Sequence, residues 1–122
     1  MYHLTSNTDP EKQDKDSLGP VLFLHGSLSN ASSFANAGAG APFQLFDEGF
    51  DIWLANMRGT KETRCATDTD ANGNVYTVDC GYDSLFSLYD MAVSDLPAFV
   101  DDVLARTGEE TLSVMGFSRG TA

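Results

Sequence analysis

Gly116-Phe117-Ser118-Arg119-Gly120 follows directly on the apolar run Thr111-Leu112-Ser113-Val114-Met115. A serine between glycines at the end of a strand suits nucleophilic acyl transfer. A sharp strand-to-helix turn holds such a serine in a strained conformation and projects its hydroxyl from the carboxyl end of a sheet. The flanking Gly116 and Gly120 relieve the crowding of that turn, and Ser118 is the candidate nucleophile. The five-residue pattern alone is weak, because Gly and Ser are common; the apolar strand before it is the context that gives it weight. Acyl transfer also needs two N–H donors aimed at the oxygen on which charge develops, each worth about 3 to 4 kcal/mol. The backbone N–H of Arg119 is one candidate. Ser27, in His25-Gly26-Ser27-Leu28 after an earlier apolar run, is the other.

His25 stands on a strand end before the serine, whereas serine sites of this architecture run Ser, then acid, then His along the chain. It is read as a structural residue shaping the oxyanion loop, and His3 as an exposed terminal residue. Neither is the triad base.

A second constellation lies in the polar stretch from Thr60 to Tyr82. Asp68, Asp70, Asn72 and Gly73 follow the D-x-[DN]-x-[DN]-G spacing of a calcium loop, with Asp79 at the twelfth place. Oxygen donors at alternate positions suit a hard cation, but the short Asp79 replaces the longer Glu that binds bidentately, and no helix precedes Asp68. The preferred alternative is an Asn72-Gly73 turn heading a small hairpin that includes Val75 to Val78. No other metal is expected. Cys65 and Cys80 bracket the stretch and would form one bridge in an oxidising compartment. Asn30-Ala31-Ser32 is a glycosylation triplet, meaningful only in a secreted protein and otherwise an ordinary Ser-rich loop.

These residues require particular elements to position them. Residues 1–19 form a polar N-terminal segment, a loop from Ser6 to Gly19. Pro20 opens Val21-Leu22-Phe23-Leu24, a continuous apolar run of the kind produced by a strand covered on both faces. A short helix from Pro42 to Glu48 ends at Gly49, and Asp51 to Ala55 is a second buried strand, followed by Asn56-Met57-Arg58-Gly59. Ser87 and Asp90 form a capping box. Asp95 is read as the cap of a further helix whose Leu96, Phe99, Val100, Val103 and Leu104 make one buried stripe, with Pro97 in its first turn and Gly108 at its end. Alternating strands and helices imply an α/β fold with parallel strands and right-handed crossovers.

The 122 residues suit one domain, and their 42% hydrophobic and 20% charged content argues against disorder. Seven basic against 18 acidic side chains leave a charge of −11, a field that repels nucleic acid and anionic headgroups. No apolar run reaches membrane-spanning length, and Met1 to Gln13 lacks the pattern of a secretory signal.

Four blocks resemble the acid lipase family of α/β hydrolases, the gastric and lysosomal lipases and their relatives. They are Pro20 to Gly26; Gly49 to Gly59; Phe86-Ser87 through Asp90-Met91-Ala92 to Asp95-Leu96-Pro97-Ala98; and Gly116 to Thr121. The resemblance implies a partial α/β-hydrolase fold over residues 20–122, central parallel strands with flanking helices, ending at the nucleophile elbow. It implies that the strands before His25 and before Gly116 are neighbours. The implied activity is cofactor-free hydrolysis of neutral lipid esters, triacylglycerols or sterol esters, by a Ser-Asp-His triad. Ser118 maps onto the nucleophile, and Ser27 and Arg119 onto the oxyanion positions. Arg119 replaces the usual Gln and Ser27 the usual Leu. The Asp, the His, the cap and the family's first strands are absent, so the chain alone is expected to be nearly inactive, with lipid-interface contact confined to a full-length form. That form is expected to be secreted or lysosomal. Two other readings remain: another carboxylesterase or acyltransferase on the same fold, and a truncated non-catalytic product that binds lipid or a partner.

Overall fold

The computed structural model describes residues 1–5, 17–35, 40–60, 63, 67–69, 71–77 and 87–121. Strands β1 (Tyr2–His3), β2 (Pro20–Leu24), β3 (Asp51–Ala55) and β6 (Ser113–Gly116) form one sheet in the order β1-β3-β2-β6. A hairpin of β4 (Thr67–Thr69) and β5 (Val75–Thr77) stands apart from it. The described helices are α1 (Ala41–Asp47), α2 (Leu88–Asp90) and α3 (Leu96–Thr107), with 3-10 turns at Ala31–Phe34 and Ser118–Thr121.

The unbroken apolar run of β2 reflects helices on both faces of the sheet. Successive side chains of a strand point to opposite faces. Val21 and Phe23 therefore join Ile52, Leu54 and Ala31, covered by Leu45 and Phe46 of α1. Leu22 and Leu24 join Trp53, Ala55 and Val103, covered by Leu96, Phe99 and Val100 of α3. The α3 residues are those of the stripe read from spacing. Parallel pairing sets Leu24 beside Ala55 on one side and beside Gly116 on the other. The carboxyl ends of three strands thus meet at one edge, where an open α/β sheet binds its ligands. The neighbouring of β2 and β6 agrees with the resemblance.

Three expectations are corrected. The family's first strands were expected to be absent, but β1 pairs antiparallel with β3, Tyr2 opposite Leu54 and His3 opposite Trp53, so a strand does precede Pro20. His3 is not an exposed terminal residue, because its ring stacks on Trp53 at 4.0 Å and its Nε2 lies against Asp51 Oδ1. Asp95 does not cap a helix. Its own backbone is helical, and a π-helical turn, Met91–Asp95, runs α2 into α3 without a break. Ser87 does form the capping box with Asp90, and Gly108 ends α3 at φ +74°. The backbone and side-chain hydroxyl of Ser87 both donate to the Asp90 carboxylate and hold its pKa below the ordinary value.

Candidate active site

Ser118 leaves β6 at φ +55°, the left-handed region that side chains with a Cβ rarely occupy. The turn is tied to the sheet by Phe117 N–H, which donates to Leu24 O at 3.0 Å, and closed by Gly120 N–H, which donates to Phe117 O at 3.0 Å. Both glycines are needed for lack of room. A Cβ on Gly116 would stand 2.1 Å from Gly120 O, and one on Gly120 would stand 2.4 Å from Leu24 O. Backbone on backbone leaves nothing flexible to give way, so the G-x-S-x-G pattern has a steric cause here.

The loop after β2 lies against this turn. A Cβ on Gly26 would meet Ser118 Cβ at 3.1 Å and Phe117 Cδ1 at 3.2 Å, so the loop sits as close as a glycine permits. Ser27 is exposed in the turn that follows, with Leu28 at φ +59°. Ser27 and Arg119 line one small cleft together with His25, Arg58, Gly59, Thr60 and Met91. The structure thus gathers Ser118, Ser27 and Arg119 at one end of β2 and β6, with Gly116 and Gly120 beneath them.

His25 is buried, and both of its ring nitrogens are engaged. Nε2 accepts from Met57 N–H at 3.1 Å, so the proton sits on Nδ1, which donates to Gly26 O at 2.8 Å. A ring used in this way braces the loop and has no nitrogen left to serve Ser118. The other end of the loop is held by buried Asn56, whose Oδ1 accepts from Ala31 N–H at 2.6 Å.

Beyond the resemblance, the sequence gives the residues after β3 no role; the structure gives them one. Arg58 Nε donates to both carboxylate oxygens of Asp95, at 2.8 and 2.9 Å, and Nη2 adds a further bond to Oδ1. The hydrogen bonds to Asp95, reinforced by the charges of Asp95 and Asp90, raise the Arg58 pKa above its ordinary value against the opposing effect of burial. The available signal was an arginine one turn beyond a buried strand, in a chain with seven basic residues, together with an acid at a helix position that lacked a capping partner.

Of the calcium residues, Asp68 lies in β4 and Asn72 in the turn beyond it, while Asp70 and Asp79, like Cys65 and Cys80, lie outside the described residues. Thr67 pairs with Thr77 and Thr69 with Val75, and Gly73 stands at φ +84°, as the hairpin reading requires. Among the described residues no three His, Cys, Asp or Glu side chains gather as a metal site. No described helix is long and apolar enough to cross a membrane.

Comparison with known proteins agrees with this architecture. The α/β hydrolase fold family matches residues 19–122. A probable lipase of Schizosaccharomyces pombe is 34% identical over 91% of this chain and 24% of its own length. Human lysosomal acid lipase/cholesteryl ester hydrolase is 34% identical, and human gastric triacylglycerol lipase 37% identical, each over 84% of this chain and 25% of its own length. The chain spans about a quarter of the length of these relatives. With three parallel strands converging on a strained serine turn, and with lipases recurring among its relatives, the chain belongs to the α/β hydrolase family as a lipase-like member.

Proposed function

We propose that the protein containing this chain is a serine ester hydrolase of neutral lipids, acting on triacylglycerols or sterol esters. The observation that carries the reading is Ser118 at φ +55° with Gly26 of the preceding loop packed on its Cβ. Ser118 Oγ attacks the acyl carbon while its proton passes to a histidine base. The carbonyl electron pair moves onto oxygen, where the N–H groups of Ser27 and Arg119 receive the charge. Collapse expels the alcohol, which takes the proton back from the base, and water then releases the acid by the same steps. His25 is committed to its loop and His3 to Asp51, so the base and its orienting acid come from the rest of the protein. The N–H donors polarise the carbonyl, and the reaction is proposed to need no cofactor.

The substrate class rests on two of the relatives, a triacylglycerol lipase and a cholesteryl ester hydrolase. Their names, lysosomal and gastric, favour a lysosomal or secreted full-length form that meets its substrate at a lipid interface. The test is covalent labelling of the full-length protein by a fluorophosphonate, followed by turnover of esters of rising chain length. Labelling at Ser118 and preference for long acyl chains are expected. Preference for short soluble esters would move the reading to another carboxylesterase or acyltransferase, and absence of labelling would sink it.

A further inference from the structure

The turn after β3, residues Asn56 to Gly59, is the frame on which the oxyanion loop is hung. Met57 N–H holds the His25 ring, which holds Gly26 O, and Asn56 Oδ1 holds Ala31 N–H at the far end of the same loop. The turn is itself fastened to the helical layer at Asp95. Asp95 Oδ2 accepts from the backbone N–H of Arg58 at 3.2 Å, and both carboxylate oxygens grip the Arg58 guanidinium. Asp95 is only 12% exposed at its side chain and Arg58 36%. A charge-assisted, forked contact of this kind fixes geometry as well as distance.

We infer that Asp95 and Arg58 are positioning residues that set the oxyanion loop through Met57 N–H, the His25 ring and Gly26. The reason lies in where the contacts fall. The Arg58 N–H bond to Asp95 fixes the peptide plane that follows Met57, and the Met57 N–H is one residue away. A shift there rotates the imidazole, and the imidazole moves Gly26, whose position sets the N–H of Ser27. Oxyanion donors act only when aimed at the oxygen in the transition state, so a small displacement lowers the chemical rate while leaving ground-state binding alone.

The inference rests on the ester-hydrolase reading, and the experiment separates the two. In the full-length protein, Asp95→Asn and Arg58→Lys are compared with wild type and with Asp102→Asn, which breaks the surface pair of Asp102 with Arg106. Rates on a soluble p-nitrophenyl ester are expressed per fluorophosphonate-titrated site. Affinity for a trifluoromethyl ketone, which adds the serine and forms an oxyanion, is measured in parallel. Asp95→Asn is expected to lower kcat roughly tenfold to a hundredfold, with KM unchanged and the ketone bound more weakly by a similar factor. Arg58→Lys keeps the charge but loses the fork and should fall between, and it carries the test if Asp95→Asn does not fold. Asp102→Asn should match wild type. Unchanged kcat and ketone affinity per titrated site overturn the inference, as does a fall in kcat with ketone affinity intact. A wild-type protein without turnover or labelling overturns the ester-hydrolase reading instead.

Discussion

At the amino end of β3, Asp51 is almost sealed from solvent, accepts from Trp53 Nε1 at 2.6 Å, and meets the His3 ring that stacks on the same indole. At the carboxyl ends of β2 and β6, Leu28 and Ser118 hold positive φ angles and three glycines stand where no Cβ fits without displacing a neighbour. Both ends hold a histidine with a fixed partner, yet the first completes its hydrogen bonds around relaxed strands and the second spends its bonds holding a strained loop. Strain persists only where the surroundings over-determine it, and here the surroundings are Leu24 O, the His25 ring and Asn56. One end of the sheet secures the fold, and the other uses that security to hold a reactive turn.

The comparison breaks most readily at Ser118. In the full-length protein, Ser118→Ala should cut turnover by at least ~10⁴-fold with an unchanged unfolding midpoint. Retained turnover would remove the carboxyl end's claim to the chemistry. Next comes Gly120→Ala, whose methyl would press on Leu24 O. It is expected to cost about 3 kcal/mol in denaturant unfolding, with loss of fluorophosphonate labelling. A neutral result would mean the turn is not sterically closed. Asp51→Ala strands the Trp53 N–H and the His3 ring, and should lower stability by about 1 to 3 kcal/mol while turnover per folded molecule stays constant. A change in kcat there would mean that the two ends are coupled.

The smallest effect concerns the helix start. The Asp90 pKa is depressed in the folded state, so the capping box adds stability above the ordinary carboxylate pKa and loses it as pH falls through the lower folded value. Asp90→Asn should therefore lower the unfolding midpoint slightly at neutral pH and not at all in strong acid. Thermal unfolding from neutral pH downward reads this as two curves that converge.

The chemistry-bearing turn was legible because its constraints are local. Gly116 and Gly120 flank Ser118 in sequence for the same reason that they touch backbone in space. The central strands were legible because helices on both faces force the unbroken apolar run at Val21 to Leu24. β1 left no such mark, since two residues cannot display a period and its partner lies fifty positions away. Asp95 has the composition of a cap, an acid before Leu96-Pro97, and only the fold shows its partner 37 residues earlier. Chain order alone marks His25 as a structural residue, and its two ring contacts supply the physical reason.

The π-helical turn at Met91–Asp95 carries one further consequence. A wider turn accommodates a residue that a regular helix would not, and each residue of a regular helix advances the chain by about 100°. With α3 anchored through Val103 and its neighbours, winding the same residues as a regular helix would leave Asp95 in register and roll everything before that turn about the axis. Met91, now buried at the cleft, would come to face water, and the capping box would start the helix in another direction. The turn therefore acts as a phase adjustment between two stretches of one rod, letting the clamp and the cleft wall each keep their own bearing.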